Sequence, residues 1–263
     1  MSAALPVSSM VASASATSSA IDLYAQRTAG FEERVAHAVS VLRQAAADHP
    51  GQIVQATSLG VEGMVLTDLI ARHRLPIAIA TLDTGMLHAE TVALISRIED
   101  RYGLDVEVYK PQAESVVHFV RRNGPEAMYR SVELRKNCCD IRKMEPMSRM
   151  VEGRTAWVTG LRREQSEHRS EVSFRELDNE GRTKVIPIAD WSWADVWQYV
   201  KTYDVPYNPL HDHFFPSIGC APCTRAVSLG EDSRAGRWWW EDETLKECGL
   251  HGAPESSALP FAA

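Results

Sequence analysis

The spacing of apolar residues alternates along the chain between the period of a helix and that of a buried strand. Over residues 31–47 apolar side chains recur every three or four positions, which predicts an amphipathic helix. A short, mainly apolar run over 52–59 predicts a strand. The alternation continues downstream. It predicts helices over 64–72 and 91–102 and strands over 77–82, 105–109, 156–159 and 185–188.

Strands that alternate with helices are typical of the α/β class, here a Rossmann-like parallel sheet with helices on both faces. Such sheets bind ligands beyond the carboxyl ends of their strands. The turns at 58–63 and 83–85 follow predicted strands, so we expect both at that edge. No clear period is visible after about residue 206. We therefore predict an α/β domain over 31–205 and an irregular C-terminal extension over 206–263.

Composition places the chain among globular proteins and excludes several partners. Its 263 residues are 44% hydrophobic, enough for a sizeable core. The net charge of -7 argues against nucleic acid, so an anionic ligand needs a local basic cluster. No run is apolar and long enough to cross a membrane. Residues 1–20 are rich in Ser and Ala and lack the basic start of a secretory signal, so we predict a disordered leader over 1–30.

The five cysteines are placed unevenly. Cys138 and Cys139 are adjacent, Cys220 and Cys223 form a C-x-x-C pair, and Cys248 stands alone. An odd count in a chain of this length does not favour a secreted disulfide framework. Four ligands plus one reactive thiol in a reduced, cytoplasmic protein fit better.

The two cysteine pairs together offer four thiolates, the usual number for a 4Fe–4S cluster. Adjacent helical residues point about 100° apart, so Cys138 and Cys139 chelate a single small ion poorly but can reach different irons. Zinc also accepts four thiolates, typically from two spaced pairs, and remains the alternative. The cations around the first pair would offset the charge of a cluster. A simpler interpretation is that Cys138 and Cys139 are two buried, apolar side chains on a basic helix.

Several further segments are candidates for a ligand site, and each also has a purely structural interpretation. The glycine-containing turn at 58–63 offers backbone N–H groups at a helix start. Basic residues follow a predicted strand at 160–166 and recur at Arg234 and Arg237, a spacing that can grip a polyanion. Cys248 with His251 can be a nucleophile or an ordinary surface thiol. The run 211–213, His-Asp-His, is more typical of solvated side chains than of a metal site.

Taken together, these residues resemble the assimilatory sulfonucleotide reductases. The resemblance runs from about 31 to 251 and rests on a combination of motifs rather than on any one of them. Phe214-Phe215 departs from it, because Gly-Tyr is expected there. The matching segments are the turns at 58 and 82–85, Cys138-Cys139, 160–166, the helix at 193–197, 217–224 and Glu247-Cys248-Gly249-Leu250-His251.

The resemblance implies an adenine nucleotide alpha hydrolase-like fold, with nucleotide binding over 31–205 and a cluster-binding, catalytic tail over 206–263. Both cysteine pairs imply the branch that reduces adenosine 5′-phosphosulfate, with one 4Fe–4S cluster on Cys138, Cys139, Cys220 and Cys223. Cys248 is then the nucleophile and thioredoxin the reductant, and association of identical chains is left open. The implied substrate contacts are Ser58, Gly60, Glu62, Gly63, Asp83, Thr84, Gly85, Lys143, Arg162, Arg163, Arg234, Arg237 and His251.

Three alternatives follow from the same residues. One is a reductase of 3′-phosphoadenosine 5′-phosphosulfate, whose members mostly lack the cysteine pairs. Another is a zinc-stabilised nucleotide-binding protein without redox chemistry. The third is an ATP-pyrophosphatase-type enzyme, which would need a Ser-Gly-Gly-x-Asp-Ser loop, and the turn at 58–63 lacks the Asp-Ser end.

Overall fold

One six-stranded sheet organises the chain in a computed structural model that describes residues 19–166, 169–228 and 230–241. The strands are β1 Ile53–Thr57, β2 Ala78–Leu82, β3 Val106–Tyr109, β4 Ala156–Val158, β5 Arg175–Leu177 and β6 Thr183–Val185. They lie in the order β3-β2-β1-β4-β6-β5, and all pairs are parallel except the edge pair β5 and β6. The predicted α/β fold with a mainly parallel sheet is confirmed.

Helices cover both faces of this sheet, as predicted. They are α1 Ala20–Tyr24, α2 Phe31–Asp48, α3 Val61–Arg72, α4 Ala89–Tyr102, α5 Ala113–Asn123, α6 Val132–Cys139, α7 Glu145–Val151 and α8 Trp193–Tyr203. Successive residues of a strand point to opposite faces. Ile53 of β1 therefore joins the core formed with α2, α3, α4 and α8, while Val54 joins the core formed with α7. No helix of the described residues is long and apolar enough to span a membrane.

The described end of the predicted leader is ordered, which corrects the expectation of disorder over 19–30. Ser19 and Asp22 form a capping box at the start of α1. Ala20 is fully buried, and its backbone N–H donates to Asp212 Oδ1 at 2.7 Å. Tyr24 packs edge-on against Trp193 at 5.7 Å. These contacts with the distant end of the chain stabilise a segment whose composition alone favours disorder. Residues 1–18 lie outside the described part.

The last two strands differ from the prediction. The strand expected over 185–188 is found at Thr183–Val185, although Ile186 and Ile188 behind it are still fully buried. The sequence gives no sign of β5, because this short edge strand is largely exposed and has no apolar run.

Three turns meet at one edge of the sheet. Strand β1 lies between β2 and β4, so the turns at 58–60, 83–88 and 159–162 all follow carboxyl ends of neighbouring parallel strands. After residue 206 the described chain contains only two short 3₁₀ turns, Pro209–His213 and Ala221–Cys223. A bridge between Leu87 and Cys220 attaches this segment to the same edge.

Candidate active site

A cavity of about 440 Å³ lies at the carboxyl ends of β1, β2 and β4. Both predicted turns contribute to it, and so do the π-helical turn Asp140–Met144 and the segment after residue 206. The position beyond the strand ends is where open α/β sheets bind ligands. The predicted site residues that line the cavity are Ser58, Gly60, Glu62, Gly63, Thr84, Lys143, Arg162, Arg234, Arg237 and Cys220.

Three predicted contacts do not line the cavity. Asp83 forms an ion pair with Lys110 at 3.3 Å and accepts a hydrogen bond from the Gly85 backbone at 2.9 Å, so both residues shape the turn instead. Arg163 donates from Nε to the Val172 carbonyl at 2.8 Å, and its guanidinium lies 5.3 Å from the Phe174 ring centroid. The predicted roles of Asp83, Gly85 and Arg163 in holding a ligand are therefore not supported by their positions.

The floor of the cavity depends on a close approach between two turns. A Cβ atom at Gly160 would lie only 2.9 Å from Cβ of Glu62 and 3.2 Å from its carbonyl carbon. Real Cβ atoms do not approach neighbours this closely, so a side chain at 160 would separate the turn after β4 from the start of α3. Glycine at this position brings both turns to the same cavity.

Arg162 and Glu62 form a buried ion pair in this floor. Nε and Nη2 of Arg162 each donate to Glu62 Oε1 at 3.1 Å, and Gln165 Nε2 donates to the same oxygen at 3.0 Å. Nη1 of Arg162 also donates to Glu164 Oε2 at 2.8 Å. Two carboxylates thus balance the charge of one guanidinium. Arg162 fixes the geometry of the floor more than it supplies positive charge to a ligand.

Further cations line the cavity beyond Arg162. They are Lys143, Arg234 and Arg237, and Arg237 is 8% exposed. Arg237 packs 4.7 Å from the Trp238 ring and reaches toward the Ile218 carbonyl at 3.3 Å. Lys143 projects from the π-helical turn, a local widening that is common at functional sites. These cations favour an anionic ligand group at this end of the cavity.

The four cysteines of the two predicted pairs line one small second cavity. Lys143 and Cys220 line both this cavity and the larger one, so the two share a wall. Cys138, Cys220 and Cys223 are buried, Cys139 is half-buried, and none of these four described cysteines forms a disulfide. The sequence could not fix their proximity, because Cys138 lies on α6 and Cys220 follows some eighty residues later.

The chemistry of this donor set suits thiolate ligation of an iron–sulfur cluster or of zinc. Burial raises the pKa of Cys138, and burial together with the nearby Cys220 raises the pKa of Cys223 to about 12. Such thiols become ligands when metal displaces their protons. Within the described residues no three Cys, His, Asp or Glu side chains are arranged around a single metal ion. Four sulfur donors on two separate elements match the ligand number of a 4Fe–4S cluster, and zinc also accepts four thiolates.

Sequence reasoning missed several residues of the cavity. Arg169 is 8% exposed, lines the cavity and donates to Gln165 Oε1 at 2.6 Å. Trp193 and His211 also line it. The prediction that the side chains at 211–213 are solvated is wrong for His211, which is 4% exposed. Trp residues of helix α8 pack against the ring and bury it. No local sequence pattern around residue 211 indicates this contact.

Two predicted site residues cannot be located. Cys248, the predicted nucleophile, and His251 lie outside the described residues. Their roles therefore stay predictions.

Comparison with curated proteins gives relatives over most of the chain. A protein named adenosine 5′-phosphosulfate reductase from Allochromatium vinosum is 52% identical over 230 residues, which cover 87% of this chain and 90% of that protein. A protein of the same name from Burkholderia cepacia is 54% identical over 197 residues, covering 74% of this chain and 79% of the relative.

Solved structures and a family comparison agree with these relatives. Phosphoadenylyl-sulfate reductase from Candida auris, crystallised with phosphate, has 25% identity and a TM-score of 0.62 and covers 77% of this chain and 98% of its own. FMN adenylyltransferase from Candida glabrata, at 16% identity and a TM-score of 0.54 over 88% and 83% of the two chains, shares the fold alone. Residues 52–226 match the phosphoadenosine phosphosulfate reductase domain. The chain therefore belongs to the phosphoadenosine phosphosulfate reductase family, and the reductase resemblance of its sequence is confirmed.

Proposed function

We propose that this protein reduces adenosine 5′-phosphosulfate to sulfite and AMP, with Cys248 as the nucleophile. The observation that carries the proposal is the shared wall: a cationic cavity at the strand ends adjoins a pocket of four cysteines through Lys143 and Cys220. The names of the relatives at 52% and 54% identity support the choice of substrate. The reaction belongs to sulfate assimilation in the cytoplasm, where thiols are kept reduced.

Substrate binding in this proposal divides the cavity into two ends. Backbone groups at the start of α3, around Ser58 to Gly63, face the nucleotide, and no side chain caps this helix. Lys143, Arg234 and Arg237 take the phosphosulfate end. Both the substrate group and the attacking thiolate are anions, so these cations lower the repulsion that opposes their approach.

The proposed chemistry proceeds through a covalent intermediate. The Cys248 thiolate attacks sulfur, the bond between sulfur and the phosphate oxygen breaks, and AMP leaves with the electron pair. Cys248 then carries an S-sulfo group. A dithiol protein of the thioredoxin class attacks Sγ of Cys248, expels sulfite and forms a mixed disulfide. Its second thiol releases Cys248 as a thiolate and leaves the reductant as a disulfide.

We also propose that Cys138, Cys139, Cys220 and Cys223 hold one 4Fe–4S cluster. Bound there, such a group would supply a fixed electrostatic environment and structural cross-linking beside the cavity. Lys143 belongs to both cavities and is the residue that would connect this environment with the substrate. The second turn of the C-terminal segment, Ala221–Cys223, would be held against α6 in the same way.

Anaerobic purification with a visible spectrum and iron and sulfide analysis tests the cofactor. A brown protein with about four irons and four sulfides per chain is expected. A colourless protein that contains zinc would overturn the cluster and favour the zinc-stabilised binding protein.

Thioredoxin-dependent release of sulfite tests the reaction. We expect turnover of adenosine 5′-phosphosulfate and much slower turnover of the 3′-phosphorylated nucleotide at equal concentration. Cys248→Ser should abolish sulfite release and keep the visible absorbance, because its thiol is not one of the four proposed ligands. Faster turnover of the 3′-phosphorylated substrate, or full activity of Cys248→Ser, would contradict the proposal.

A further inference from the structure

His211 is a buried imidazole on the wall of the larger cavity, and its ring nitrogens have no hydrogen-bond partner of normal geometry among the described residues. Its side chain is 4% exposed and lines the cavity. The Phe215 backbone lies close enough to favour the protonated ring, although without a hydrogen bond of normal geometry. Buried polar atoms are nearly always paired, so two unpaired nitrogens beside a cavity indicate a ligand contact.

The ring is held in place from several sides. Its centroid lies 5.4 Å from that of Trp197 and 6.3 Å from that of Trp193, both at steep angles. The 3₁₀ turn that carries it, Pro209–His213, is capped by the side chain of the fully buried Asn208, which accepts from the Leu210 backbone at 3.1 Å and donates to Thr91 Oγ1 at 2.8 Å. A ring fixed in this way loses little conformational entropy when a ligand binds it.

The surroundings of His211 select an uncharged ligand group. Burial lowers the pKa of His211 to about 4, although Glu62 and Asp212 favour the charged ring. At neutral pH the ring is therefore a neutral group with one donor and one acceptor. Glu62, the nearby carboxylate, is paired with Arg162, so a neutral polar group can bind beside it without adding charge. The phosphosulfate belongs with Lys143 and Arg237 instead.

We propose that His211 hydrogen-bonds the nucleoside part of the bound nucleotide, at a ribose hydroxyl or at the polar edge of the base. Both groups can donate and accept, which matches the two nitrogens of a neutral imidazole. Glu62 lines the cavity, acts electrostatically on the His211 ring, and would accept from the same hydroxyl or amino group. The inference rests on the proposed nucleotide substrate, but it concerns binding and not the chemical step.

Calorimetric titration of the anaerobically purified holoprotein with AMP tests this contact. His211→Phe keeps the aromatic packing and removes both nitrogens, so we expect AMP to bind about tenfold more weakly. His211→Gln, which restores a donor and an acceptor, should recover part of the affinity. His213→Gln, an exposed histidine on the same turn, serves as the matched control and should bind AMP like the wild type.

Titration of the same variants with 2′-deoxy-AMP, 3′-deoxy-AMP and IMP locates the contact. The analogue that lacks the contacted group should bind the wild type and His211→Phe with equal affinity. The other ligands should each bind His211→Phe about tenfold more weakly than the wild type. Equal loss for all four ligands would exclude the two ribose hydroxyls and the 6-amino edge of the base, and it would overturn the proposal. Unchanged AMP affinity in both His211 variants would overturn it as well. Sulfite release by the wild type is measured separately, so failure of the reaction is distinguishable from failure of this contact.

Discussion

Two nitrogens of Arg162, Nε and Nη2, donate to a single oxygen of Glu62, each at 3.1 Å. The pair connects the turn after β4 with the first turn of α3, so it joins the two segments that form the cavity floor. The Arg162 side chain is 5% exposed and that of Glu62 15%. A largely buried pair of this kind costs desolvation energy and matters chiefly when one member is removed.

Glu62→Ala should therefore destabilise the protein by about 2–3 kcal/mol, somewhat less than for an isolated buried pair, because Glu164 still compensates Arg162. Chemical denaturation followed by tryptophan fluorescence measures this. Glu180→Ala removes a carboxylate from a pair with Arg182 in which Glu180 is 64% exposed, and it should cost less than about 1 kcal/mol. Equal losses of unfolding free energy in the two variants would show that burial does not raise the cost of breaking the Arg162–Glu62 pair.

Arg237→Gln should raise KM for the sulfonucleotide by about tenfold or more, because it removes a buried cation from the anionic end of the cavity. Arg163→Gln makes the same change of charge on a side chain that packs on Phe174 outside the cavity, so a much smaller effect is expected. Steady-state rates of sulfite release give both values. A larger effect at Arg163 would restore the role that the sequence predicted for it.

Cys220→Ser should lose most of its iron and sulfide, since Cys220 is one of the four cysteines that line the small second cavity. Iron and sulfide analysis beside the visible spectrum is the measurement. Thr84 donates to or accepts from Cys220 Sγ at 3.2 Å without being a proposed ligand. Thr84→Val should therefore keep the iron. Loss of iron from both Thr84→Val and Cys220→Ser would indicate general instability of this edge of the sheet.

His211 should make stability depend on pH between about 4 and 6.5. Its folded pKa is lowered to about 4, so the unfolded chain binds more protons in this window. Stability therefore falls as the pH decreases through the window, by up to about 1.4 kcal/mol per pH unit from this residue. Denaturation of wild type and His211→Phe at pH 7 and pH 5 isolates this contribution. The variant should lose less stability, and parallel losses would contradict a neutral buried ring.

The elements that the sequence predicted correctly depend on local patterns. Helix α2 begins at the predicted residue, Phe31, and β2 ends at the predicted residue, Leu82, because amphipathic and apolar runs report which face is buried. The edge strand β5 was missed, since an exposed strand has no such run. The ordered segment that contains Ala20 was also missed, because a single buried alanine produces no periodic pattern in the sequence.

Sequence alone determined the succession of strands and helices, the turns at their carboxyl ends and the four paired thiols, because each depends on residues close together in the chain. Only the tertiary structure decided which side chain of a turn lines the cavity. It selected Thr84 over Asp83 and directed Arg163 toward Phe174. It also buried His211 beneath α8. Neighbouring residues of a turn point in different directions, and burial depends on elements distant in sequence, so neither could be read from local spacing.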